Sequence, residues 1–293
     1  MLLALKLKTA IVAAAFAAGP VAVSFWSKDE AKRAIAPPEM VELSPGRLQY
    51  WAAGDFTRDG RPAGAPRVTV EIRRPLSIMK HQVSAAEYRA CVDDGACLAR
   101  KGAPAGADLP AVMVNFRDAE TYAKWLSRKF GHRYRLPTDA EWTYAAGSRA
   151  PDEAPLVNDP DNPAQRWLRQ YEREAEADPT DKEVKAVGSF GANERGLVDL
   201  AGNVWEWTSS CFTRTALDRA GRPSAQRSEN CGVRVVEGRH RAYVTDFIRD
   251  ARGGGCSQGT PPSYLGFRLV RDRDAEGWLS SLGGWFGRLP ADG

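Results

Sequence analysis

Apolar and polar residues change period several times along this chain. Arg67-Val68-Thr69-Val70-Glu71-Ile72 alternates, which predicts a strand with one face buried. Met40–Leu43 forms a short apolar stretch, read as an edge strand after a tether, and Pro75–Met79 continues the alternating segment or pairs with it. Ser84-Ala85-Ala86-Glu87 has capping-box spacing ahead of Tyr88, Cys91 and Val92, so a short helix is expected, ended by Asp93-Asp94-Gly95. After Asn115, residues Phe116, Ala119, Tyr122, Leu126 and Phe130 recur at three- and four-residue steps, predicting an amphipathic helix that stops at Gly131. Thr138 and Glu141 mark a third helix start, with Trp142 and Ala145 pointing inward. From Ala186 onward glycines interrupt the chain so often that long helices are excluded. Short strands joined by shaped turns are expected there, carrying Trp205, Trp207, Phe212, Tyr243, Phe247, Tyr264 and Phe267. Arg166–Ala177 has a mostly polar helical pattern and reads as an exposed insertion.

The two ends differ from this body. Lys6 and Lys8 precede eighteen uncharged residues, Thr9–Trp26, and charge returns at Lys28. That length lies at the short end for a membrane span and is long for a signal core. Residues 1–27 are read as an export signal or anchor, with an uncleaved anchor favoured and the body outside the cytoplasm, in a bacterial periplasm. Residues 28–39 form a tether, 40–272 one domain without internal repeat, and 273–293 an apolar tail containing Trp278, Leu279, Trp285 and Phe286.

Cysteine usage agrees with export. Cys91 and Cys97 flank a Gly-containing turn, and Cys211 and Cys231 flank a polar loop. Either pair suits a disulfide, although sequence alone fixes no connectivity. Cys256, beside three glycines, is left over. The chain carries 41 basic and 37 acidic residues, a net charge of +4, too slight to argue for nucleic acid; no basic stretch interleaves with aromatics as a stacking groove would.

Candidate chemistry falls in two regions. Asp199, Asn203 and Glu206 offer oxygens within a Gly-bent stretch, which suits a structural calcium ion or, equally, a hydrogen-bonded turn. His81, His132 and His240 are the three histidines, and no two lie within a helical turn, so no local imidazole pair exists for a transition metal. His240 is the most plausible functional one. It lies in a segment where Arg239, Arg241, Arg249 and Arg252 surround Tyr243, Asp246, Phe247 and Asp250. Those arginines either grip an anion or simply satisfy the nearby carboxylates.

Asp118–Leu126, Tyr134-Arg135-Leu136-Pro137-Thr138-Asp139-Ala140-Glu141-Trp142, Gly196-Leu197-Val198-Asp199-Leu200-Ala201-Gly202-Asn203-Val204-Trp205-Glu206-Trp207 and Leu265-Gly266-Phe267-Arg268 occur in that order. Together they resemble the signatures of the formylglycine-generating enzyme, or sulfatase-modifying factor, family. The resemblance implies a mixed α+β fold related to C-type lectins, low in regular secondary structure and usually holding calcium. Asn203 and Glu206 would be its first ligands here and Asp199 a weaker one. In the oxidase of that family two cysteines bind copper and activate dioxygen. At the corresponding places this chain has Tyr243 and Ile248, so no copper is expected and formylglycine synthesis is put in doubt. The segment Cys231–Gly255 looks closest to accessory proteins of copper nitrite reductase, with a periplasmic enzyme of pyoverdine maturation as a second resemblance.

The leading expectation is therefore an exported accessory or maturation factor of a periplasmic redox system of the denitrification type. Its partner would be a periplasmic redox protein or that protein's maturation substrate, with membrane contact through the N-terminal segment. An oxidoreductase acting on a peptide or tailoring substrate through Arg239, His240, Tyr243 and Cys256 is the alternative. A calcium-dependent, lectin-like binding module is the third.

Overall fold

A computed structural model describes residues 35–152, 183–249 and 264–272. The export segment, the polar insertion at 166–177, Arg252, Cys256 and the tail at 273–293 lie outside them. No helix among the described residues is long and apolar enough to cross a membrane. In chain order the elements are β1 (Met40–Leu43), β2 (Gly46–Trp51), β3 (Asp55–Arg58), β4 (Arg61–Ala63), β5 (Arg67–Ile72), β6 (Leu76–Met79), α1 (Ala85–Asp93), α2 (Phe116–Phe130), β7 (Arg133–Arg135) and α3 (Asp139–Ala146). Then follow β8 (Trp205–Leu217), β9 (Pro223–Glu237), β10 (Ala242–Thr245), β11 (Leu265–Gly266) and β12 (Val270–Asp272).

Helices α1 and α3 begin where the capping pattern places them and α2 directly after Asn115, with both halves of each capping box formed: Ser84 with Glu87, Asn115 with Asp118, and Thr138 with Glu141. Gly131 ends α2 in the left-handed conformation, φ 70°, which a side chain disfavours. Arg135 holds Glu141 through two bonds of 2.7 Å, so the box that starts α3 is tied to β7.

The strands form three sheets. One has the order β1-β6-β12-β7, so the last described strand lies between two earlier ones. The second runs β10-β9-β8-β3-β4, with β11 parallel to β8. The third is the two-stranded ribbon β2-β5. The main core gathers α1 and α2 against Trp205, Trp207, Val236, Val244 and Phe267. A second cluster holds Trp142, Leu197, Leu200 and Ile78. Trp142, Trp207, Tyr88, Tyr122 and Phe267 are all under 2% exposed. Burying such a side chain contributes roughly 1.5–3 kcal/mol.

The expectation of short strands after Ala186 is corrected by β8 and β9, which run 13 and 15 residues. Glycine does not end them. Gly221 takes φ 75° in the turn between them, whereas Gly232 stays in the extended strand. The long pairing absorbs its irregularities as register shifts between Trp207 and Phe212 and near Leu217. Strands β2, β3 and β4 were likewise not expected from the stretch read as tether and single edge strand. Cys91–Cys97 and Cys211–Cys231 are both disulfides.

Candidate functional site

The hairpin of β9 and β10 carries the segment singled out above. Val235 pairs with Tyr243 and Val236 with Ala242. Side chains alternate across the sheet, so Val236, Ala242 and Val244 enter the main core while Val235 and Tyr243 share the opposite face with Phe212. Glu237, two residues beyond Val235, points to that second face and is 1% exposed.

Around Glu237 the fold collects an ionisable cluster from four elements. Arg241 donates from Nε to Glu237 Oε1 at 2.6 Å and from Nη1 to the Trp51 carbonyl of β2 at 2.6 Å. Its guanidinium lies 5.3 Å from the centre of the Tyr50 ring. Tyr50 donates to Asp139 Oδ2 at 3.0 Å, and Ser210 of β8 donates to Asp139 Oδ1 at 2.7 Å. Asp139 is the first residue of α3, where the helix dipole favours an anion. The Tyr243 hydroxyl accepts from the Gly54 amide at 2.7 Å, and its ring meets Phe212 edge-on at 5.1 Å.

Burial sets the protonation states. It lifts the Glu237 carboxyl from its ordinary 4.5 to about 7 against the opposing pull of Arg241, so this group exchanges its proton near neutrality. Burial works against the charge on Arg241, but Glu237, Tyr243 and Asp139 outweigh it and raise its pKa. Burial raises both phenols, Tyr50 with added repulsion from Asp139, so each is a neutral hydroxyl at pH 7. The chemistry available is proton transfer at Glu237 beside two phenols and a fixed cation.

Of the expected catalytic residues, Tyr243 joins this cluster. The His240 ring packs edge-on against Trp205 at 5.1 Å, while the His240 carbonyl accepts from Trp205 Nε1 at 2.9 Å. Arg239 sits beside it, half-buried and with interactions of its own. Cys256 lies outside the described residues. The arginines near Tyr243 satisfy carboxylates: Arg241 takes Glu237, and Arg249 takes Asp118 through two bonds. Tyr50, Asp139, Ser210 and Glu237 were not assigned to a site from sequence. Thr138-Asp139 read as a helix cap, and the others come together only through the fold.

At Tyr243 and Ile248, where the family resemblance sets its copper pair, neither side chain offers copper a soft ligand. Tyr243 is an un-ionised phenol facing a backbone N–H, and Ile248 is an apolar residue of the main core. The four described cysteines are all in disulfides.

The expected calcium ligands form a different structure. Asp199, Ala201 and Asn203 all take positive φ, 60°, 55° and 59°, coiling the chain tightly. The Asp199 carboxylate accepts from the Gly188 and Phe190 amides at 2.6 and 2.8 Å. Asn203 exchanges two hydrogen bonds with the Lys185 backbone. Glu206 is fully buried and accepts four N–H groups. Oε1 takes Gln82 Nε2 at 2.9 Å and Arg268 Nη2 at 2.8 Å; Oε2 takes Trp142 Nε1 at 2.8 Å and Arg268 Nε at 2.6 Å. Arg268, also 0% exposed, spends its remaining donors on the carbonyls of Met79, Lys80 and Val198. N–H groups aimed at these oxygens stand where a cation would have to approach, and the three expected ligands do not fit a calcium cage.

Three helices packed with small sheets around an aromatic core, with a tightly coiled Asp199–Asn203 segment just ahead of β8, define a mixed α+β protein of the formylglycine-generating-enzyme fold. Residues 27–273 match the family described as the sulfatase-modifying factor enzyme 1-like domain, and the chain belongs to that family. It is similar to the formylglycine-generating enzyme of Streptomyces coelicolor, 30% identical over 173 residues, covering 56% of this chain and 53% of that protein. It is also similar to inactive C-alpha-formylglycine-generating enzyme 2 of Mus musculus, 34% identical over 166 residues, with 56% and 49% covered. The chain thus spans about half the length of the curated relatives it matches. Among solved structures, PvdO from Pseudomonas aeruginosa matches with a TM-score of 0.52 and 26% identity, covering 80% of this chain and 94% of that one.

Proposed function

We propose that this chain is an extracytoplasmic accessory or maturation factor serving a redox system of the denitrification type, and that it does not generate formylglycine. The observation that carries this is the lack of a soft ligand at Tyr243 and Ile248, which the family resemblance matches to its copper-binding cysteines. Reduced copper needs soft ligands, and a protonated phenol beside an isoleucine supplies none. Similarity to a protein named as an inactive member supports a family role other than sulfatase activation. Two disulfides suit an oxidising compartment, and the uncharged run Thr9–Trp26 suits export and tethering.

A second reading is favoured by one arrangement, the buried Glu237 carboxyl held by Arg241 in a cluster with Tyr50 and Tyr243: acid–base chemistry on a peptide or tailoring substrate during that maturation. Purified protein incubated with a cysteine-bearing sulfatase peptide, copper(I) and dioxygen is expected to yield no aldehyde by mass spectrometry. A strain lacking the gene is expected to show impaired nitrite or nitrous-oxide respiration. Aldehyde formation, or wholly unchanged respiration, would refute the proposal.

A further inference from the structure

Gln82 precedes α1 and is 0% exposed, with its amide nitrogen at a point where three oxygens converge. Nε2 lies 2.9 Å from Glu206 Oε1 and 3.5 Å from each of the carbonyls of Asp199 and Gly202. A carboxylate and two carbonyls aimed at one point from a coiled turn are what a hard cation asks for. Here the point is filled by an N–H₂ group. We infer that the Gln82 amide is a built-in occupant of this position, where the protein uses its own side chain in place of an ion, making the position independent of calcium.

Charge and amide orientation both argue for it. Glu206 is the carboxylate in direct contact with Gln82, and Arg268 already neutralises it with bonds of 2.6 and 2.8 Å in a region closed to water. The Asp199 carboxylate is engaged by the Gly188 and Phe190 amides instead. A divalent ion added beside Gln82 would leave close to two uncompensated charges in the core, which a low-dielectric interior opposes strongly. The Gln82 amide could be turned over only by setting its oxygen against three other oxygens, so the acceptors fix the nitrogen inward. The cost is visible: Gln82 Oε1 is buried and has no hydrogen-bond partner. A turned amide with an ion at the centre is the rival arrangement, and it predicts the opposite response to chelation.

The test uses the full chain, purified without added metal. Anything bound only by the native state raises Tm, so chelation reports an ion directly. The wild-type protein is expected to contain no stoichiometric calcium by plasma mass spectrometry. Its Tm is expected to be the same in EGTA and in millimolar calcium. Gln82→Glu places a second carboxylate beside Glu206 and should convert the position into an ion site. Its Tm should fall in EGTA and recover in calcium, whereas Gln82→Met should remain indifferent to calcium. If Gln82→Glu does not fold in EGTA, the yield refolded in calcium reads the same effect. Stoichiometric calcium in the wild type, or a fall of its Tm in EGTA, overturns the inference. So does a Gln82→Glu variant that calcium rescues neither in Tm nor in refolded yield.

Discussion

The bond between Arg268 and Glu206 gives the sharpest stability prediction. Arg268→Met removes both donors to Glu206 and leaves the carbonyls of Met79, Lys80 and Val198 without that partner. Breaking a fully buried ion pair from one side costs about 3–5 kcal/mol, because the surviving charge stays desolvated. Against a total of about 5–15 kcal/mol this is severe. At about 2–4 °C per kcal/mol for a domain of this size, Tm should fall by about 6–20 °C. Glu206→Met should cost a similar amount, since it strands a buried guanidinium. The double variant, apolar at both places, should cost less than the sum of the two singles, because neither charge is left stranded in the core. Urea denaturation followed by circular dichroism, extrapolated linearly for all four proteins, gives the coupling, expected at about 2–3 kcal/mol. Single effects that add within about 0.5 kcal/mol would refute the reasoning and mean that Arg268 and Glu206 act on stability separately.

The Glu237 cluster makes two more predictions. The native carboxyl keeps its proton up to about 7 whereas the unfolded chain releases it near 4.5, so stability should decline as pH rises between those values and level off above, by about 3 kcal/mol in all. Urea titrations at pH 5 and pH 8 should show that slope in the wild type and lack it in Glu237→Gln. Tyr243→Phe leaves the buried Gly54 amide without its acceptor and should cost about 1–3 kcal/mol, measured the same way; an unchanged Tm would show that the bond contributes nothing.

What could be read in the sequence was local. The capping boxes at Ser84 and Thr138 located two helix starts because each pairs residues three apart, the apolar period after Asn115 located the third, and the cysteine pairs flank their own turns. Family motifs identified the family. Residues joined only by tertiary structure escaped: Tyr50 and Asp139 are 89 apart in sequence, Gly54 and Tyr243 are 189 apart, and Gln82 meets Glu206 across 124. The coil at Asp199–Asn203 shows why spacing alone misled. Oxygen-bearing side chains at short intervals satisfy backbone N–H groups as readily as they hold an ion, and only the positions of the donors tell the two apart. His240 was singled out by the charge around it, yet its ring and carbonyl serve the indole of Trp205. That contact also depends on Gly238, where a Cβ would come within 2.7 Å of the same ring.

The strand that completes the four-stranded sheet and the guanidinium that neutralises Glu206 both come from residues 268–272 of a 293-residue chain. A nascent or prematurely ended chain would therefore hold a bare carboxylate and a gap between β6 and β7 however much of its earlier sequence had been made.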